Sequence, residues 1–145
     1  MSTVDNSTMI EILLVEDNPG DVELTKEAFL EAKIRTNMTV MHDGVEAFEY
    51  LKNQQSAPPD IILLDLNLPR MSGLEVLGKI KDDPDLRVIP VVILTTSQDE
   101  ADIAKSYRSH ANCYIAKPVD FEKFMQVVRS VEDFWLTVVQ LPNRE

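Results

Sequence analysis

Ile61-Ile62-Leu63-Leu64-Asp65-Leu66-Asn67-Leu68-Pro69-Arg70-Met71-Ser72-Gly73 opens on four branched apolar residues, then places one carboxylate before a loop that carries Pro69 and Gly73. A run that is apolar at every position, not at every second one, fits a strand covered on both faces, as in a parallel sheet. In open parallel sheets ligands bind beyond the carboxyl ends of the strands. Asp65 falls there, which makes it a candidate nucleophile as well as a candidate turn cap.

Outward from this strand the chain alternates. Ile10 to Val15 reads as a strand ending in Glu16-Asp17, and Asn18-Pro19 is a helix start, a capping side chain before a proline at the first helical position. That helix is expected to reach about Lys33, with Val22, Leu24, Ala28, Phe29 and Ala32 on its apolar face. Met38 to Met41 reads as a second strand, and His42-Asp43-Gly44 turns into a helix through Leu51. Ser56-Ala57-Pro58-Pro59 breaks the pattern before Ile61. After Gly73, Leu74, Val76, Leu77 and Ile80 space as a helix that stops at Asp82-Asp83-Pro84. Pro90 to Leu94 is a fourth strand, ending in Thr95-Thr96-Ser97, and a helix follows over about 100–109. Cys113 to Ala116 is a fifth strand, followed by Lys117-Pro118 and a last helix over about 120–139. Strand–helix alternation of this kind implies a doubly wound parallel sheet with helices on both faces.

The totals agree with one globular domain. The chain has 145 residues, 44% hydrophobic and 27% charged, enough for a real core. A net charge of −11 argues against a nucleic-acid backbone as partner, because that contact needs a basic face. Cys113 is the only cysteine, so no intramolecular disulfide forms. The first nine residues lack a signal-peptide core, and no apolar run is long enough to cross a bilayer. A cytoplasmic protein with no membrane partner is expected.

Four strands end in groups that belong together: Glu16 and Asp17, Asp65, Thr95 and Lys117. In a parallel sheet these ends share one rim. Three carboxylates on one rim repel, and a divalent cation with oxygen ligands offsets the charge. Mg2+ suits the set, since it is held by one or two carboxylates, waters and a substrate phosphate. Lys117 can pair with one phosphate oxygen and Thr95 can donate to another. A carboxylate nucleophile, a metal, a cation and a hydroxyl compose a phosphoryl-transfer site.

At these residues the chain resembles the receiver domain of two-component response regulators. The matching positions are Val15-Glu16-Asp17, Asp65 with Pro69 to Gly73 behind it, Thr95, and Lys117-Pro118, within about residues 10–132. The resemblance implies a flavodoxin-like α/β fold, a five-stranded sheet in the order 2-1-3-4-5 with five helices. It implies that Asp65 takes phosphate from a histidine kinase, with Mg2+ held by Glu16, Asp17, Asp65 and the backbone carbonyl of Asn67. It implies that Thr95 and Lys117 hold the phosphoryl oxygens, that Thr95 and Tyr114 move inward as a switch, and that the Lys117-Pro118 bond is cis. Tyr114 also reads as an ordinary half-buried strand residue. Ser72 stands where an aspartate is common, outside the chemistry. Asn18-Pro19-Gly20-Asp21, His110 to Ile115 and Glu132-Asp133-Phe134-Trp135-Leu136 resemble the receiver-only regulators that serve phytochrome-type histidine kinases of cyanobacteria.

The organisation expected is a tail over 1–9, the receiver over 10–132, and an apolar extension over 133–145. In that extension Phe134, Leu136, Val139 and Leu141 fall off the core stripe of the last helix. They either fold back or meet a second copy; a homodimer is expected, since a contiguous apolar patch marks a contact surface. About a dozen residues follow the receiver, too few for a DNA-binding module, so an unknown downstream protein is the expected target. Competing functions fit less well. An aspartyl phosphatase needs a second aspartate two residues on as general acid, and Asn67 stands there. A flavin carrier needs a hydroxyl- and glycine-rich phosphate loop, where Glu16-Asp17 would repel the phosphate. A receiver working only by fixed binding would not need Asp65, Thr95 and Lys117 intact. His42 and His110 read as surface residues and Cys113 as a small buried hydrophobe.

Overall fold

The computed structural model describes residues 9–31, 35–53, 58–95 and 113–116. They form strands β1 (Ile10–Val15), β2 (Thr36–Met41), β3 (Ile61–Asp65), β4 (Val91–Thr95) and β5 (Cys113–Ala116), with helices α1 (Pro19–Glu31), α2 (Gly44–Lys52) and α3 (Gly73–Asp82). The sheet is parallel throughout, in the order β2-β1-β3-β4-β5. The helices expected over 100–109 and 120–139 lie outside the described residues, as do the tail and the apolar extension.

The uninterrupted apolar strands explain the layering. Successive side chains point to opposite faces, so each of β1, β3 and β4 feeds two cores. Ile12, Leu14, Ile61, Leu63, Val92 and Leu94 pack with Val22, Ala28 and Phe29 of α1. Leu13, Val15, Ile62, Leu64, Val91 and Ile93 pack on the other face with Ala47 and Leu51 of α2 and Val76, Leu77 and Ile80 of α3. Each fully buried Leu or Ile contributes about 1.5–3 kcal/mol, which is what makes the three middle strands a rigid platform. No described helix is long and apolar enough to cross a membrane.

The start of β2 and the buried face of α1 differ from the expectation. β2 begins at Thr36, not Met38, because Thr36 and Asn37 pair with Ile10 and Glu11. It lies at the sheet edge and is only half-buried, so those two positions carry no apolar signal. The buried face of α1 includes Thr25, whose hydroxyl donates to the Asp21 carbonyl at 2.8 Å, while Leu24 is only half-buried. The helix starts are as the sequence implies. Asn18 Oδ1 accepts the Asp21 N–H at 3.0 Å, and Asp43 caps α2 by accepting the Glu46 N–H at 2.7 Å.

Candidate functional site

The strand register brings the expected residues to one end of the sheet. Val15, the last residue of β1, pairs with Leu64, and Asp65 pairs with Leu94, one residue before Thr95. Thr95 in turn pairs with Ala116, which precedes Lys117. Glu16, Asp17 and Asp65 each present a carboxylate oxygen, and these atoms lie within 4.8 Å of one another. Glu16 is 1% and Asp65 4% exposed, while Asp17 is open to solvent. Lys117 and the dimer residues Phe134, Leu136, Val139 and Leu141 lie outside the described residues, and Thr95 and Tyr114 are placed by their strands alone.

Local bonding fixes the two buried carboxylates. Glu16 accepts the Asn18 N–H at 3.2 Å, and Asp65 Oδ1 accepts the Asn67 N–H at 3.3 Å. The second bond keeps the Asn67 backbone beside Asp65. Past Asp65 the chain stays on the sheet through the Leu66 N–H, which donates to the Leu94 carbonyl at 3.3 Å. It then folds back so that the Gly73 N–H donates to the Leu66 carbonyl at 3.0 Å. A Cβ at Gly73 would stand 2.3 Å from the Asp65 carbonyl oxygen, so only glycine permits this approach. Ser72 caps α3: it accepts the Glu75 N–H at 3.2 Å, and Glu75 accepts the Ser72 N–H at 3.1 Å. Ser-x-x-Glu at 72–75 is the sequence pattern of such a capping box, a signal additional to those drawn on above.

The loop between Asp65 and Gly73 is strained. Arg70 sits at φ 69°, the left-handed region, and the Met71 N–H donates to the Pro69 carbonyl at 2.7 Å. A three-residue turn of this hand costs a non-glycine residue about 1–2 kcal/mol. The Arg70 guanidinium faces Asp43 at 3.5 Å. The turn before α2 also leans on this loop. Gly44 N–H approaches the Pro69 carbonyl at 3.4 Å, and a Cβ at Gly44 would meet the Met71 carbonyl oxygen.

Gathering carboxylates has a cost. Two charges about 4.8 Å apart at an effective dielectric near 20 repel by about 3 kcal/mol. The burial of Val15, Leu64 and Leu94 beside them is large enough to hold them there. Such a set of hard oxygen donors on a rigid platform fits a hard divalent cation, which removes the repulsion. Sequence reasoning missed one residue near this centre. His42, read as a plain surface residue, is exposed, but its Nδ1 lies 3.3 Å from the Glu16 carbonyl oxygen. Nothing in residue type or spacing marks that contact.

The doubly wound fold and the acidic rim agree with the family match: the chain belongs to the response regulator receiver domain family, whose model matches residues 12–129. Over 135 residues it is 44% identical to the response regulator Rcp1 of Synechocystis sp., covering 90% of this chain and 92% of that protein. The phosphorylated cyanobacterial phytochrome response regulator RcpA is similar in structure, with a TM-score of 0.78 at 44% identity over 92% of this chain and 99% of that one. The Mn2+-bound form of Rcp1 gives a TM-score of 0.77 at 43% identity, also over 92% of this chain and 99% of that one.

Proposed function

We propose that this protein is the phosphoacceptor of a two-component relay, taking a phosphoryl group from a histidine kinase, of phytochrome type, onto Asp65. The observation that carries the reading is the convergence of Glu16, Asp17 and Asp65 oxygens within 4.8 Å at the carboxyl ends of adjacent parallel strands. The similarity to RcpA, which is named as a cyanobacterial phytochrome response regulator, supports the kinase class.

An ionised Asp65 oxygen attacks the phosphorus of a phosphohistidine. The new P–O bond forms as the P–N bond breaks, and the imidazole nitrogen keeps that electron pair. The attacking form is the carboxylate, which needs no base to take a proton from it. Glu16, Asp17, Asp65 and the backbone carbonyl of Asn67 would hold Mg2+, which when bound neutralises the acidic cluster and the incoming phosphoryl oxygens. Thr95 donates its hydroxyl to one phosphoryl oxygen and Lys117 its ammonium to another. Thr95 and Tyr114 then carry the change to a protein-contact surface, since phosphorylation adds charge and acceptor oxygens that reorganise nearby donors. Phe134, Leu136, Val139 and Leu141 join two copies into a homodimer, and the downstream target is reached by protein contact in the cytoplasm.

Acetyl phosphate with Mg2+ retards the wild-type protein on a phosphate-affinity gel, and Asp65→Asn abolishes the shift. An unshifted wild type, or a shifted Asp65→Asn, overturns the assignment. Phosphotransfer from purified kinases is fastest from a phytochrome-type donor; equal rates from unrelated kinases remove that part. Sedimentation shows a dimer that Leu136→Glu dissociates.

A further inference from the structure

We infer that His42 is a positioning residue for the metal-binding loop, through a strut formed by the turn His42-Asp43-Gly44 between the two halves of the acidic site. This rests on the reading of that site given above. β1 and β2 stop at Val15 and Met41, but their pairing runs one bond further, from the Glu16 N–H to the Met41 carbonyl at 2.9 Å. The Glu16 carbonyl is then met by the His42 ring, whose Nδ1 lies 3.3 Å away. A carbonyl only accepts, so Nδ1 carries the hydrogen in this contact. The ring thus tethers the backbone between Glu16 and Asp17 just where the chain leaves the sheet and turns toward Asn18.

The rest of the turn reaches the other side. His42's own N–H donates to Glu46 Oε1 at 3.1 Å, and Asp43 caps α2, so the turn is fixed to the helix behind it. Asp43 also faces Arg70, and Gly44 is pressed against Met71 and bonded to Pro69. Those three residues belong to the loop that begins at Asp65. The turn therefore holds the loop carrying Glu16 and Asp17 at a set distance from the loop carrying Asp65. Groups that orient the ligands of a metal change its affinity without touching it, commonly by about tenfold or more. His42 touches neither metal nor phosphate in this scheme; it acts through the Glu16 backbone.

The test compares His42→Phe, which keeps an exposed ring and removes the donor, with His42→Asn, whose amide N–H2 can reach the same carbonyl. Mn2+ affinity is read by titration calorimetry, the Mg2+ dependence of acetyl phosphate labelling on a phosphate-affinity gel, and the metal-free melting temperature by circular dichroism. His42→Phe weakens Mn2+ binding about tenfold and raises the half-saturating Mg2+ for labelling by the same factor. Labelling at saturating Mg2+ and metal-free melting stay near wild type, and His42→Asn recovers most of the affinity. Unchanged Mn2+ binding in His42→Phe, or His42→Asn no better than His42→Phe, overturns the inference and leaves the site reading intact. A loss in His42→Phe that appears equally in metal-free melting overturns it too, since the residue is then merely structural. A wild type that binds neither ion overturns the site reading itself and this inference with it.

Discussion

Carboxylates crowd both ends of the sheet, and they do opposite things there. At the carboxyl ends of the strands Glu16, Asp17 and Asp65 turn toward one another. At the amino ends the carboxylates of Asp60 and Asp83 lie apart, and each is bonded to groups that carry a hydrogen. Asp60 Oδ2 accepts the Glu11 N–H at 2.8 Å, and Asp83 Oδ1 accepts the N–H groups of Asp85 and Leu86 at 2.8 and 3.1 Å. Lys52 donates to Asp83 from α2, and Lys81 donates to the carbonyls of Arg87 and Ile89, both at 3.0 Å. The amino end spends its charges on holding the fold together. The rim instead keeps three like charges within 4.8 Å of one another, and a bound cation would relieve their repulsion.

The sharpest way to break the rim is through its backbone. Gly73→Val places a Cβ against the Asp65 carbonyl and the Leu66 Cα, backbone atoms at the end of β3 and just past it that cannot readily yield. A loss of about 3 kcal/mol in urea unfolding is expected, with acetyl phosphate labelling lost alongside. The amino end has its own weak point in Lys81. Lys81→Met removes both carbonyl contacts of the loop before β4 and costs about 2 kcal/mol. Labelling of Asp65 is unaffected, because the loop lies at the far end of the strands. If Lys81→Met lowered labelling at saturating Mg2+, the two ends would not be independent.

Charge removal at the rim has the opposite sign. Asp17 is exposed, so its repulsion with Glu16 and Asp65 is screened, and Asp17→Asn stabilises the metal-free protein by about 1 kcal/mol. Excess Mg2+ raises the melting temperature of the wild type by mass action, and raises that of Asp17→Asn by much less. Destabilisation of the metal-free protein by Asp17→Asn would mean that the cluster holds the fold, as the carboxylates of the other end do.

What the sequence revealed follows the same division. β1, β3 and β4 were legible because burial on both faces leaves an uninterrupted apolar run, and Asp65 was legible as the polar residue that ends one. Thr36 and Asn37 were not, since an edge strand needs no apolar residue to pair. Thr25 was not, because its hydroxyl is satisfied within its own helix. The rim's acidic residues were readable from strand ends and order alone. The contacts that set their spacing were invisible, because they join residues distant in the chain: Gly73 to Asp65, Gly44 to Met71, His42 to Glu16.

The smallest expected effect separates the two ends most directly, through pH. Hydrogen bonding from Lys52 first, then from the Asp85 backbone, holds the Asp83 carboxyl below its ordinary 3.8. The same hydrogen bond raises Lys52 above its ordinary 10.5. A carboxyl whose folded pKa is depressed adds stability above its unfolded value, and loses it as pH falls through the folded one. A lysine whose folded pKa is raised adds stability below its unfolded value, and loses it as pH rises through the folded one. The pair therefore contributes fully between about pH 4 and about pH 10. Asp83→Asn should unfold at lower urea than the wild type within that window, and the gap should close as the wild type is acidified through the depressed folded pKa of Asp83. Lys52 is half exposed, so 1 M salt should also narrow the gap. A gap that persisted in acid would come from the shape of the asparagine, not from charge. Neutralising an aspartate would thus weaken the protein at one end of the sheet and strengthen it at the other, although the side chain lost is the same.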